Sequence, residues 1–186
     1  MLFISQTITG ILLLIYYRPT PDEAHKSIQA ITADINFGWL YRQVHAWGAS
    51  VMILAVVLHM VRTYFWGAYK KPRELTWVTG VFILIVVLTF GFTGYLLPWN
   101  QIAFWATTVG TESANKVPII GEWLRYFIRG GDVVTGETLS RFFVVHVIIL
   151  PWVLTGLIAV HLFLMRATNL STLERVGEEK TLDPKY

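Results

Sequence analysis

Four histidines carry the chemistry that this sequence offers. His45 and His59 stand in YRQVHAWGASVMILAVVLHMVR, and His146 and His161 stand in RFFVVHVIILPWVLTGLIAVHLFLMR, two stretches that are otherwise mostly apolar. An imidazole in an apolar, membrane-length stretch costs free energy unless it has a partner, and it marks a functional position. The first two are 14 residues apart and the second two 15. On a helix each step covers about 21 to 22 Å, which is most of a hydrocarbon core. At about 100° per residue, a step of 14 returns to within about 40° of its starting direction and a step of 15 to within about 60°. Each helix therefore shows two histidines on one face, near opposite membrane surfaces. Two such helices side by side present two stacked couples of imidazoles, a ligand geometry for two metal centres placed one above the other.

Three readings compete for this quartet: structural hydrogen bonding, a metal or proton-relay site, and axial ligation of two haem irons. A proton relay calls for acids within the apolar stretches, and none is there. A zinc or di-iron centre calls for ligands one helical turn apart, at i, i+3 or i+4, rather than four turns apart. With no cysteine in the chain, disulfides, cysteine-held iron–sulfur clusters and covalent CxxCH haem are excluded within it. The reading that fits best is two non-covalent, bis-histidine haem b groups in a transmembrane electron carrier. His25, in a charged segment, reads as a surface residue.

Gly80 and Gly94 in the next apolar stretch are also 14 apart, so they share a face at two depths. Glycine lets a helix backbone come close to a flat macrocycle, although it also serves ordinary helix packing. Gly10 is placed to do the same in the first stretch. Haem propionates are anionic and call for cations near the surfaces. Arg42, three residues before His45, and Arg73, beyond His59, are placed to supply them, or else to snorkel as arginines at helix ends do.

The elements that must position these groups follow from the hydropathy pattern. A 186-residue chain that is 54% hydrophobic, with eight Trp and mean hydropathy +0.53, needs lipid to cover its apolar surface. The net charge of +3 is too small and dispersed to point to nucleic acid. Spans are predicted over about 1–17, 41–66, 76–97 and 142–165, a single all-α four-helix transmembrane bundle. Its first span is near the lower length limit for crossing, which leads to the expectation of a further N-terminal helix upstream. Residues 22–38 are mixed and amphipathic and read as lying in the interface. The segments Ile102 to Val109 and Pro118 to Ile128 are too short to span and read as interfacial helices. The short link Gly67-Ala-Tyr-Lys-Lys-Pro-Arg-Glu is basic, which places it on the cytoplasmic or equivalent negative side. Arg166 and a charged tail close the chain.

The segments YYRPT, NFGWLYRQVHAWGAS, KKPRELTWVTG and FGFTGYLLPWNQIAFWA, with the 15-residue step from His146 to His161, resemble the N-terminal half of cytochrome b. The resemblance covers about residues 5–168 and is nearest to the short, split type of cytochrome bf complexes and related bacterial complexes. It implies that His45 and His146 ligate the low-potential haem on the positive side, and His59 and His161 the high-potential haem on the negative side. It also implies that residues 98–110 and the helix at 118–128 wall a quinol-oxidation pocket, with Phe104, Trp105 and Thr108 nearby. Arg166 would lie by the negative-side haem and the quinone-reduction region. The implied function is transfer of electrons from quinol through the two haems to quinone, coupled to proton translocation, in a bacterial cytoplasmic or thylakoid-type membrane.

The implied partners are a separate C-terminal cytochrome b chain of the subunit IV type, a Rieske iron–sulfur protein, a c-type cytochrome and quinone, within a homodimeric complex. Such a chain is not active alone. The sequence departs from the pattern in three ways. The extra N-terminal helix, with the cysteine that in several members tethers a third haem, would lie upstream of Met1. Ala46 follows His45 where relatives often carry arginine, which removes one propionate partner. The C-terminal half, with its acidic quinol-site motif, must be another chain. The alternatives are the di-haem cytochrome b anchor of a formate dehydrogenase, nitrate reductase or hydrogenase, and a haem-free scaffold or channel subunit. Such anchors lack the long link with two interfacial helices.

Overall fold

The fold was described from a computed structural model, in which residues 1–168 are described; the charged tail at 169–186 lies outside them. Every element among the described residues is helical, and apolar runs set where the helices fall. Helix α1 (Leu2–Leu14) is followed by the short α2 (Ala24–Ala33), the long α3 (Gly38–Phe65) and α4 (Glu74–Leu96). Then come α5 (Gln101–Glu112), a 3₁₀ turn at Ser113–Lys116, and α6 (Gly121–Arg129). The last helix, α7 (Gly136–Ala167), is continuous over 32 residues. Helices α3, α4 and α7 are long and apolar enough to cross a membrane, whereas α1 is a shorter apolar helix of 13 residues.

A helix forms at each of the four stretches predicted to span, with shifted ends, and three of the four have the length to cross. Helix α7 begins at Gly136 rather than near Phe142, because Thr135 starts it: its hydroxyl accepts from Glu137 N, and its own amide donates to Thr138 Oγ1. Helix α1 is shorter than the apolar run, ending at Leu14 rather than Tyr17. The interfacial segments fold as α2, α5 and α6, with α5 capped by Asn100 Oδ1 accepting from Ala103 N at 2.8 Å. Gly130, in the left-handed region at φ +80°, stops α6.

Helix α1 packs on α3, α4 packs on α7, and α3 meets α4. Two clusters of buried apolar residues form layers. Met52, Val87 and Leu154 form the middle layer, flanked by Phe3, Ile53, Val56, Ile83, Val86, Phe90 and Ile158. Met52 lies midway between His45 and His59, Val87 midway between Gly80 and Gly94, and Leu154 between His146 and His161. Two helical turns either way from this apolar layer lead to a histidine level. The second layer, of Ala24, Leu96, Leu139 and Phe142, closes the end that carries α2, α5 and α6. Tyr17 pins the chain after α1 to this end, donating to Leu97 O at 2.6 Å and stacking on Phe143.

Candidate functional site: paired histidines at two depths

Helices α3 and α7 bring the four histidines together as two couples. His45 faces His146 with ring centres 6.4 Å apart, and His59 faces His161 with ring centres 6.5 Å apart. The ring planes lie nearly perpendicular, at 73° and 77°. A metal–imidazole bond of about 2.0 to 2.1 Å on each side, with about 1.2 Å from nitrogen to ring centre, sets two rings about 6.4 Å apart across one metal. Both couples match that spacing.

The unequal sequence steps are reconciled in α7. Residues Val145–Ile149 form a π turn, in which Leu150 N donates to Val145 O. A π turn takes up one residue more than an α turn, so 15 residues in α7 complete the four turns that 14 nearly complete in α3. Pro151 follows, and having no N–H it supplies no donor where the helix returns to α register. The outcome is that His146 and His161 lie level with His45 and His59.

Helices α1 and α4 brace the rings from behind. Thr9 Oγ1 lies 3.0 Å from His45 Nδ1, Thr93 Oγ1 2.9 Å from His146 Nδ1, and Thr79 Oγ1 3.0 Å from His161 Nδ1. The residue after each threonine is a glycine whose open side receives the ring edge. A Cβ there would lie 3.3 Å from His45 Cε1 at Gly10, 3.4 Å from His161 Cε1 at Gly80 and 2.7 Å from His146 Cε1 at Gly94. The predicted glycines thus belong to the site, and within the chain what they make room for is the imidazoles. Gln6, one turn before Thr9, takes the amide orientation in which it donates to His45 O at 2.9 Å and accepts from Ala49 N at 3.2 Å. Phe90 sits edge-on to His146 at 5.3 Å.

The His59–His161 couple opens into a cavity lined also by Met60, Arg62, Arg73, Thr76, Gly80 and Met165. The Thr76 hydroxyl is buried there without a partner among the described residues, beside the two arginines. An anionic group hung on a flat, metal-centred cofactor fits this donor set. Arg73, expected near this end, lines the cavity. Arg166 is exposed, directly after the cavity-lining Met165, and Arg42 is half-buried one turn before His45. His25 is exposed as predicted, and its Nδ1–H donates to Pro98 O at 3.2 Å, tying α2 to the end of α4.

The residues predicted around the quinol pocket lie on α5. Trp99, Phe104 and Trp105 form an edge-to-face run, with centres 5.7 and 5.3 Å apart. Thr108 belongs to a network that the sequence did not reveal. Arg129, only 4% exposed, donates to Thr108 O at 2.8 Å and Thr111 Oγ1 at 2.7 Å, and pairs with Glu112 at 2.9 Å. It also donates to Asp132 O, while its own carbonyl accepts from Thr138. A single buried arginine thus fixes α5 against α6 and the start of α7. The bracing threonines and Gln6 were missed as well. Their one sequence signal is the Thr-Gly dipeptide at 9–10, 79–80 and 93–94, which also occurs at 135–136 and 155–156, away from the histidines.

A membrane-embedded helical protein with histidines paired at two depths is the class that this geometry defines. Residues 1–169 match the cytochrome b/b6/petB family. Cytochrome b6 of Heliobacterium modesticaldum is 48% identical over 169 residues, covering 91% of this chain and 79% of that one. Cytochrome b6 of Acaryochloris marina is 43% identical over the same shares. Among solved structures, a chain of a "Hyperthermophilic respiratory Complex III" superposes with a TM-score of 0.84 and 38% identity. That likeness covers 98% of this chain and 49% of the other, so this chain spans about half of its length. The chain belongs to the cytochrome b family, as an N-terminal cytochrome b of the bf/bc type, and is an integral membrane protein.

Proposed function

We propose that this chain is the haem-binding subunit of a quinol-oxidising complex of the bc/bf class, moving electrons across the membrane between quinol and quinone. The observation that carries the reading is the pair of imidazole couples at 6.4 and 6.5 Å, four helical turns apart, with an apolar layer between them. Two haem b groups held by His45 with His146 and by His59 with His161 would supply one-electron iron couples at two depths. The protein's residues do the rest. Three of the four imidazoles, those of His45, His146 and His161, are held from α1 and α4. Arg73, Arg62 and Thr76 offer donors for propionates at the end facing the basic link, and Arg42 offers one at the other end. Met52, Val87 and Leu154 keep water and protons out of the space between the levels.

On this reading the basic link lies on the negative side, and α2, α5 and α6 lie on the positive side. The aromatic run of Trp99, Phe104 and Trp105, with Thr108 and the α6 helix, forms one wall of a quinol pocket. A separate C-terminal chain of the subunit IV type supplies the opposite wall. A Rieske protein and a c-type cytochrome take the other electron, in a dimeric complex of a bacterial cytoplasmic or photosynthetic membrane. The test is a redox titration of reduced-minus-oxidised spectra of the complex. Wild type is expected to show two b-type components, and His59→Ala to remove only one. Loss of both, or of neither, would overturn the assignment.

A further inference from the structure

We propose that Thr9, Thr93 and Thr79 are positioning residues: each hydroxyl accepts the Nδ1–H of His45, His146 or His161, and so fixes the ring's tautomer and lowers the potential of the iron it holds. This rests on the haem reading above and adds to it a role for residues on the two helices that hold no ligand.

A threonine hydroxyl has one proton to give and two lone pairs with which to accept. Thr9 gives its proton to Ser5 O at 2.7 Å, Thr93 to Thr89 O at 2.8 Å, and Thr79 to Thr76 O at 2.9 Å. With that proton committed to the helix backbone, the contact to the ring at 2.9 to 3.0 Å requires the ring nitrogen to be the donor. Nδ1 therefore carries the hydrogen. A neutral imidazole has only one N–H, so Nε2 is left with a free lone pair, which is the state a metal ligand needs. The glycine that follows each threonine receives the Cε1 edge between the two nitrogens, so the pair fixes the ring's rotation as well as its tautomer.

Other threonines show what the ordinary arrangement looks like. Thr7, Thr32, Thr63, Thr89 and Thr155 each donate to a carbonyl four residues back. Thr155-Gly156 repeats the dipeptide, yet a Cβ at Gly156 would meet nothing within 4 Å. The device therefore occurs three times, on two helices and at both depths, where a paired histidine stands opposite. An acceptor on the far nitrogen makes an imidazole a stronger donor to its metal. Stronger donation favours the oxidised iron, so each of these hydroxyls holds the potential down.

The test is a redox titration of the assembled complex carrying Thr9→Val, Thr93→Val or Thr79→Val, with Thr155→Val as control. Thr9→Val and Thr93→Val are expected to raise the midpoint of one and the same b-type component. Thr79→Val is expected to raise only the other, and Thr155→Val neither. The expected effect is a three- to tenfold change in the oxidised-to-reduced ratio, or about 30 to 60 mV at 59 mV per tenfold for one electron. Thr→Ser at each position restores an acceptor and is expected to return the midpoint towards wild type. Midpoints that stay put or fall in the Val variants would overturn the proposal. So would loss of haem that serine does not rescue, because that marks a packing role alone; loss in Val that serine rescues supports it. A wild-type complex without two b-type components would instead overturn the underlying haem reading.

Discussion

Replacing Gly94 by alanine is the most specific perturbation that the site permits. A Cβ at this position would lie 2.7 Å from His146 Cε1 and 3.3 Å from both ring nitrogens. Non-bonded carbons prefer about 3.5 to 4.0 Å, so the ring has to retreat by close to 1 Å. It has little freedom to do so: Thr93 holds Nδ1, Phe90 packs edge-on, and His45 stands 6.4 Å across the gap. Forcing one methyl into such a site costs about 1 to 3 kcal/mol, or a loss of about 5- to 140-fold in affinity for a group held between the rings. At Gly80 the corresponding distance is 3.4 Å, an ordinary contact, and at Gly10 it is 3.3 Å. The expected order of damage is therefore Gly94→Ala, then Gly10→Ala, then Gly80→Ala. The assay is haem content per chain in purified complex, with the two spectral components resolved by redox titration. Gly94→Ala is expected to deplete the His45–His146 component selectively, and Gly80→Ala to leave the other nearly intact. Equal loss in the two variants, or greater loss in Gly80→Ala, would show that ring clearance is not what these glycines provide.

Other outcomes follow from the same geometry. Arg129→Leu strands two carbonyls, Thr111 and Glu112 on α5 and its neighbours, and is expected to destabilise the protein by about 3 kcal/mol, read as a lower melting temperature. Its effect on quinol turnover is expected to exceed its effect on haem content, because α5 moves and the histidines do not. Gly110→Ala pushes a Cβ into the Phe92 ring and is expected to reproduce the turnover defect in milder form, measured as a raised KM for quinol. Because residues 1–186 contain no cysteine, the haem held by the two histidine couples should leave in acidified acetone, read as loss of both b-type components from the extracted polypeptide.

How much of this was legible beforehand depended on whether a signal was periodic. The histidine faces, the matched glycines and the long apolar helices are visible because helical repeat and hydropathy act along one chain. The 15-residue step of α7 was visible as a number but not as a cause. Periodicity alone leaves His161 about 60° round the helix from His146, and the π turn ahead of Pro151 brings the two closer into line. Thr9, Thr79 and Thr93 were not legible, since a helical threonine that bonds only its own backbone looks the same in sequence as one that also accepts from an imidazole. Gln6 escaped for a similar reason, its partners being main-chain atoms of another helix. Arg129 carries no periodic signal of its own, and only the packing of three elements around it buries the guanidinium.

The central claim is that each imidazole couple grips one iron. Low-temperature electron paramagnetic resonance of the oxidised complex, calibrated by haem content per chain, tests it most directly. The account predicts two low-spin, six-coordinate b-type centres for each copy of this chain. Both should be strongly anisotropic, because the paired rings stand at 73° and 77° to each other. A single such centre, none at all, or a high-spin five-coordinate signal at either level would contradict it.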